Sequence, residues 1–145
     1  MIEKSVYQKA LWIITVIALV VAAVFLLMDF ALPKDFSDVV PHTQQYDSCK
    51  ITCITTDSER EVTITGEKFG DLMEILESVK YHKRGSYGGV MKGTIYHLAF
   101  SSSQGEHFQI SVSDLGNVYI GSHYYDFGRG IEPQLISNYL EKCLQ

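Results

Sequence analysis

The chain has 145 residues, 46% of them hydrophobic, and a formal net charge of −5, a length that suits one domain. The charges of residues 1–32 cancel, so residues 33–145 carry 10 basic and 15 acidic side chains. That balance disfavours a general nucleic-acid binder, which needs a basic surface to neutralise phosphates. Three cysteines are too few for a small domain built on disulfides.

An uncharged run, Leu11–Met28, is the clearest feature of the sequence, and its only polar residue is Thr15. Continued to Leu32, the run would be about 33 Å long as a helix, which is enough to cross a hydrocarbon core of about 30 Å. The sequence therefore predicts a transmembrane helix over residues 11–32, with the lipid bilayer as its partner.

Other interpretations of this run fit less well. A cleaved signal peptide would be cut after Ala31, which places Asp29 at the position that prefers a small residue. A lipoprotein needs a cysteine directly after the apolar run, but the first cysteine is Cys49. A buried helix of a soluble domain is seldom this long without a charge. An uncleaved signal-anchor is therefore favoured.

The orientation follows from the positive charges beside the run. Lys4 and Lys9 precede it, whereas Lys34 follows it among three aspartates. The positive-inside rule places residues 1–10 in the cytoplasm as a tail and the rest of the chain outside the cell. The odd number of cysteines points weakly the other way, because free thiols are more at home in a reducing compartment. We expect a single-pass protein of the cell membrane.

Residues 33–47 contain Pro33 and Pro41 and no sustained apolar period. This composition predicts a spacer that lifts an extracytoplasmic domain, residues 48–145, off the bilayer.

The domain begins with an apolar alternation, Cys49, Ile51 and Cys53, which resumes at Val62 and Ile64 after a polar turn. This pattern predicts two antiparallel strands. A helix follows, indicated by apolar residues at helical spacing: Phe69, Leu72, Met73, Leu76 and Val79. Cationic residues at its end suit the helix dipole, and Gly85 is a candidate C-terminal cap that opens a glycine-rich loop.

Three further strands are predicted over residues 94–101, 106–113 and 117–125, joined by three-residue turns that end in Gly105 and Gly116. Their register places one set of side chains on a common inward face: Tyr96, Leu98, Phe100, Phe108, Ile110, Val112, Val118 and Ile120. A last helix begins near Pro133. The predicted class is α+β, a mostly antiparallel five-stranded sheet with two helices on one face, in the order β-β-α-β-β-β-α.

On the other face, the predicted register aligns His107 with His123, close to Tyr119, while His97 lies about four residues away along the strands. Two imidazoles could share a metal or a proton, but a zinc site needs at least three protein ligands. Exposed histidines without a ligand are commoner, so no metal site is assigned. The same face would carry Ile95 and Ala99, and Tyr125 at the end of the third strand is a further candidate; such a surface either binds a protein or is covered by another segment.

The glycine-rich loop, residues 82–93, concentrates cationic side chains in an acidic domain: His82, Lys83, Arg84 and Lys92. It does not match the nucleotide-binding loop, because Lys92-Gly93-Thr94 reverses the order of that motif. It either binds an anionic partner or headgroup or is a connection whose charges cap the helix.

No catalytic constellation is visible: there is no Gly-x-Ser-x-Gly elbow, and the carboxylates of the first predicted helix lie on a single surface without a cleft. We therefore expect no enzyme and no cofactor, and an envelope hydrolase ranks last among the candidates.

The arrangement resembles the small extracytoplasmic domains of unknown function on lipoproteins and single-pass proteins of Gram-positive bacteria. The resemblance rests on the strand Ile51–Thr55, the helix Phe69–Val79, the segment Asn117–Ile120 and the helix Leu135–Leu144. It implies an anchored accessory domain and transfers no catalytic residues.

The sequence thus predicts a membrane-anchored extracytoplasmic interaction module that binds a protein, peptide or envelope component. The expected contacts are His97, His107, Tyr119, His123, Lys83, Arg84 and Lys92. A metal- or pH-sensing module that uses His107 and His123 is the alternative.

Overall fold

The computed structural model describes residues 2–86, 91–127 and 134–145, and the chain divides into two units, residues 1–32 and 33–145. The first unit is helix α1, Ile2–Ala31. Within it, Ser5–Ala31 has a mean hydropathy of 3.0 over its most apolar window, and none of that window is buried. By length and composition, this one helix could cross a membrane.

The second unit contains three helices and seven strands within its described residues. In chain order these are α2 (Phe36–Val39), β1 (Ser48–Ile54), β2 (Glu59–Thr65), α3 (Gly66–Ser78), β3 (Tyr81–Ser86), β4 (Ile95–Ser101), β5 (His107–Ser113), β6 (Asn117–Ile120), β7 (His123–Phe127) and α4 (Gln134–Leu144). A short 3₁₀ turn, Thr43–Gln45, follows α2. The strands form one antiparallel sheet in the order β2-β1-β4-β5-β6-β7-β3. The α+β class and the antiparallel sheet are confirmed, whereas the predicted number of five strands is wrong.

The two predicted turns of the central strands are confirmed. Gly105 and Gly116 have φ angles of 89° and 84°, the left-handed region in which glycine carries no steric cost. The backbone of Ser102 donates to the carbonyl of Glu106 at 3.0 Å, as the predicted register requires. All eight side chains assigned to the inward face contribute to the core, and Phe108 alone among them is only partly buried.

The first missing strand is β3. The sequence predicts a loop after a glycine cap at Gly85, but α3 ends at Ser78 and the chain returns at once to extended structure. Tyr81 is fully buried, and its hydroxyl donates to the carbonyl of Leu76 at 2.8 Å. Burial of this aromatic side chain stabilises an edge strand paired with β7, so the following cationic residues lie in a strand and do not cap a helix.

The second missing strand arises from a chain reversal at Gly121, whose φ angle is 59°. A glycine with positive φ at the first position of a two-residue turn is typical of a tight hairpin. The strand predicted over residues 117–125 is therefore split into β6 and β7, and Ile120 pairs with His123. The reversal also changes which faces the later residues occupy, because a shift in register exchanges the two faces of a strand.

Residues 33–47 do not form a spacer, and this prediction is wrong. Phe36 and Val40 are each 1% exposed and belong to the core of the second unit, together with Val39 and Tyr46. Lys34 exchanges two backbone hydrogen bonds with Tyr81 of β3, at 2.8 and 2.9 Å. The folded unit therefore begins at residue 33, because apolar side chains of this segment fill space beside the sheet.

Helices α3 and α4 contact each other, and both contact β2. Their buried side chains join the inward face of the sheet in one core. All three cysteines are buried with free thiols, and burial raises the pKa of Cys49 to about 12. They act as small apolar side chains of the core.

An ionic cluster ties α4 to the sheet. Arg60 of β2 donates two hydrogen bonds to the carboxylate of Glu141 on α4, at 3.0 and 2.9 Å. The hydroxyl of Tyr96 donates to the same carboxylate at 2.8 Å. Sequence reasoning did not find this cluster. A signal was present, because Arg60 stands two residues before Val62 and so continues the inward alternation of β2.

Candidate functional site

The face of the sheet opposite the core, called here the outer face, carries one continuous row of side chains. Each member is the direct cross-strand partner of the next, and such neighbours lie about 5 Å apart at their Cβ atoms. The row runs through Glu61, Thr52, His97, Ser111, Tyr119 and Tyr124. Ser111 and Tyr119 are each 8% exposed, whereas His97 and Tyr124 are half-buried. The middle of the row is therefore buried, and the half-buried His97 and Tyr124 lie on either side of it.

Two serine–histidine pairs lie on this face across the β4–β5 hairpin. His97 Nδ1 is 2.8 Å from Ser111 Oγ, and His107 Nδ1 is 3.1 Å from Ser101 Oγ. A serine–histidine pair can act in acyl transfer when a carboxylate orients the imidazole. Among the described residues, no carboxylate is hydrogen-bonded to either imidazole. Within the described part of the chain, the two pairs therefore fix the imidazole rings and show no third group of a catalytic triad.

An aromatic stack forms the part of the row near the β6–β7 hairpin. The rings of Tyr119 and Tyr124 are stacked with centroids 5.5 Å apart and an interplanar angle of 19°. The hydroxyl of Tyr124 donates to Asn117 Oδ1 at 3.2 Å. Tyr119 was predicted to be exposed and is instead buried on the outer face, while Tyr125, which was considered for this face, lies in the core. The reversal at Gly121 places Tyr124 on the outer face and turns Tyr125 into the core.

Two ion pairs lie on the outer face. Lys50 Nζ lies 2.7 Å from a carboxylate oxygen of Glu61, and Arg84 Nε lies 2.6 Å from Asp126 Oδ2. The hydrogen bond to Asp126 raises the pKa of Arg84. The second oxygen of Asp126 is buried and has no hydrogen-bond partner within the described part of the chain.

The predicted alignment of His107 with His123 is wrong. His107 pairs with Ser101 of β4, whereas His123 begins β7 and pairs with Ile120. The alignment required one unbroken strand, and the turn at Gly121 interrupts it. Among the described residues, no group of three or more histidine, cysteine, aspartate or glutamate side chains could hold a metal ion. The two histidines on which the metal- or pH-sensing alternative rests are thus not cross-strand partners.

The predicted binding loop is divided by the structure. Lys83 and Arg84 belong to β3, where a bulge between Lys83 and Gly85 interrupts the pairing with β7. Lys92 is exposed, and residues 87–90 lie outside the described residues. Arg84 reaches the outer face through its ion pair with Asp126.

No protein-family model, no curated protein and no solved structure matches this chain.

Proposed function

We propose that this protein is a membrane-anchored interaction module whose outer face binds a protein, peptide or envelope component. The observation that carries the proposal is the row from Thr52 to Tyr124, which gathers hydroxyl, imidazole and aromatic groups from five strands. Aromatic side chains are enriched, and charged side chains are depleted, at the centres of protein interfaces.

The electrostatics of the outer face support a largely uncharged contact. Lys50 is paired with Glu61, and Arg84 is paired with Asp126, so a partner does not meet isolated charges at these positions. Beside the row, Ile54 is 52% exposed and is the cross-strand partner of the half-buried Ile95. Apolar area next to fixed hydrogen-bonding groups suits a partner that is recognised by shape and hydrogen bonds.

Anchoring by α1 completes the proposal. Its apolar length supports insertion in a bilayer, and the lysines at its N-terminal end favour a cytoplasmic tail with the folded unit outside the cell. This location agrees with the resemblance to extracytoplasmic domains of Gram-positive bacteria.

Photo-crosslinking in intact cells tests the binding face. A benzophenone amino acid at His97 should give a discrete adduct, whereas the same group at Glu74, an exposed residue of α3, should not. Tyr124→Ala should weaken the His97 adduct. Equal crosslinking from the two positions, or none from either, would refute the proposed face.

Fractionation and protease shaving test the anchor separately. The full chain should leave the membrane fraction only with detergent, and external protease should digest residues 33–145 in whole cells. Recovery of the intact chain in the aqueous fraction without detergent would refute anchoring, and protection from external protease would refute the orientation.

A further inference from the structure

A cleft of about 250 Å³ lies between α3 and α4 and involves none of the row residues of the outer face. It is lined by Glu67, Lys68, Asp71, Tyr139, Lys142 and Cys143. The hydroxyl of Tyr139 donates to the backbone carbonyl of Lys68 at 2.8 Å, which holds α4 against the first turn of α3. The walls of the cleft are thus fixed by a contact between the two helices.

Four charged side chains surround this cleft, two of each sign, and they do not pair with one another. The side chains of Glu67, Lys68, Asp71 and Lys142 make no hydrogen bond or ion pair within the described part of the chain. Burial, followed by the nearby thiol of Cys143, raises the pKa of Tyr139 to about 12, so its phenol is neutral at physiological pH. The charges around the cleft therefore sum to zero.

Two of these charges repel each other. Glu67 and Asp71 are four residues apart on α3, and like charges at this spacing destabilise a helix by a few tenths of a kcal/mol. An ammonium group between them would relieve the repulsion. A carboxylate would meet Lys68 of α3 and Lys142 of α4, which line the same cleft.

We propose that this cleft binds a small zwitterion of the amino-acid or dipeptide class, with its ammonium at Glu67 and Asp71 and its carboxylate at Lys68 and Lys142. Pockets for drug-sized ligands have volumes of roughly 300–1,000 Å³. The cleft, at about 250 Å³, is slightly smaller and suits an amino acid or a dipeptide. This site is separate from the outer face and does not depend on the proposed partner.

Cys143 provides a direct test, because it lines the cleft and is 8% exposed, whereas Cys49 and Cys53 are fully buried. The full chain in detergent is treated with a thiol-alkylating reagent, and the modification of each cysteine is followed by mass spectrometry. L-alanine and L-alanyl-L-alanine should slow alkylation of Cys143, by about tenfold at a concentration about tenfold above Kd. The slower alkylation of Cys49 and Cys53 should not change.

Two analogues that each lack one charge complete the comparison. N-acetylalanine has no ammonium and alanine amide has no carboxylate, so neither should protect Cys143 at the same concentration. Glu67→Gln and Lys142→Gln should each abolish protection by alanine, while Glu74→Gln, on the same helix but outside the cleft, should retain it. Unchanged alkylation with both zwitterions, or equal protection by N-acetylalanine, would overturn the proposal.

Calorimetry with the same four compounds provides a second measurement if Cys143 does not react with the reagent. Heat of binding with the two zwitterions alone supports the site, and no heat with either zwitterion overturns it. Both measurements use purified protein, so their outcome does not depend on where the domain lies in the cell or on what the outer face binds.

Discussion

Arg60 and Glu141 are 81 residues apart in sequence, yet the guanidinium of Arg60 donates to both carboxylate oxygens of Glu141. The pair joins edge strand β2 to the C-terminal helix α4. Paired parallel hydrogen bonds of this kind fix orientation as well as distance. Because both side chains keep more than a third of their surface exposed, solvent screens the charges, and the pair serves mainly to fix the position of α4.

We expect Tyr96→Phe to weaken this connection. The tyrosine is 2% exposed, and its hydroxyl donates to the Glu141 carboxylate, so its removal should lower the free energy of unfolding by about 1 kcal/mol. Urea denaturation of the full chain in detergent measures the change. Tyr124→Phe is the control, because its half-buried hydroxyl bonds to a neutral amide and its loss should cost less than about 0.5 kcal/mol. Equal effects of the two changes would contradict a stabilising role for the hydrogen bond between Tyr96 and Glu141.

Stability should fall at acid pH in part through Glu141. The hydrogen bond from Arg60 holds the pKa of this carboxyl below its ordinary value of 4.5. A lowered pKa in the folded state contributes stability that is complete above the unfolded-state pKa and is lost as the pH falls through the folded-state pKa. Glu141→Gln should therefore show a shallower loss of stability below about pH 4.5 than the wild type. Parallel curves of unfolding free energy against pH would count against this role.

Phe36→Ala tests whether residues 33–47 belong to the folded unit. Phe36 is 1% exposed, and its ring lies 5.8 Å from that of Tyr81 and 6.1 Å from that of Phe100, between centroids. Removing a buried phenylalanine costs about 3–5 kcal/mol, whereas a residue of a spacer would cost nothing. Ser37→Ala, an exposed neighbour, should change the free energy of unfolding by less than about 0.5 kcal/mol. A neutral Phe36→Ala would restore the spacer interpretation.

Gly121→Ala tests the reversal that separates β6 from β7. Nothing lies within 4 Å of an added Cβ, but the φ angle of 59° places a side chain in the left-handed region, at a cost of about 1–2 kcal/mol. Gly70→Ala is a matched control with equal space and no positive φ. It lies within α3 and should stabilise the protein by about 0.5–1 kcal/mol. The thermal unfolding temperature should fall for Gly121→Ala and rise for Gly70→Ala. A shift in the same direction for both variants would contradict the left-handed turn at Gly121.

The fold could be predicted wherever the pattern was local and complete. The alternation from Tyr96 to Phe100 and the glycine turn at Gly105 gave the correct strands and the correct inward face, because strand periodicity and turn conformation depend on a few neighbouring residues. The prediction failed at Gly121, where one glycine within a strand-like pattern reversed the chain. As a result, the expected pair of His107 and His123 does not exist, and Tyr124 takes the place considered for Tyr125.

The sequence alone determined the long apolar helix, the α+β class and the apolar positions of the central strands, since each is encoded by charge, hydrophobicity and spacing within a single segment. Only the tertiary structure decided that Phe36 completes the core, that Tyr81 begins an edge strand paired with β7, and that Arg60 meets Glu141. These contacts join segments far apart in the chain, and they form because each surface left open by one element is buried by another. The spacing of apolar residues within one segment does not specify which distant segment will pack against it.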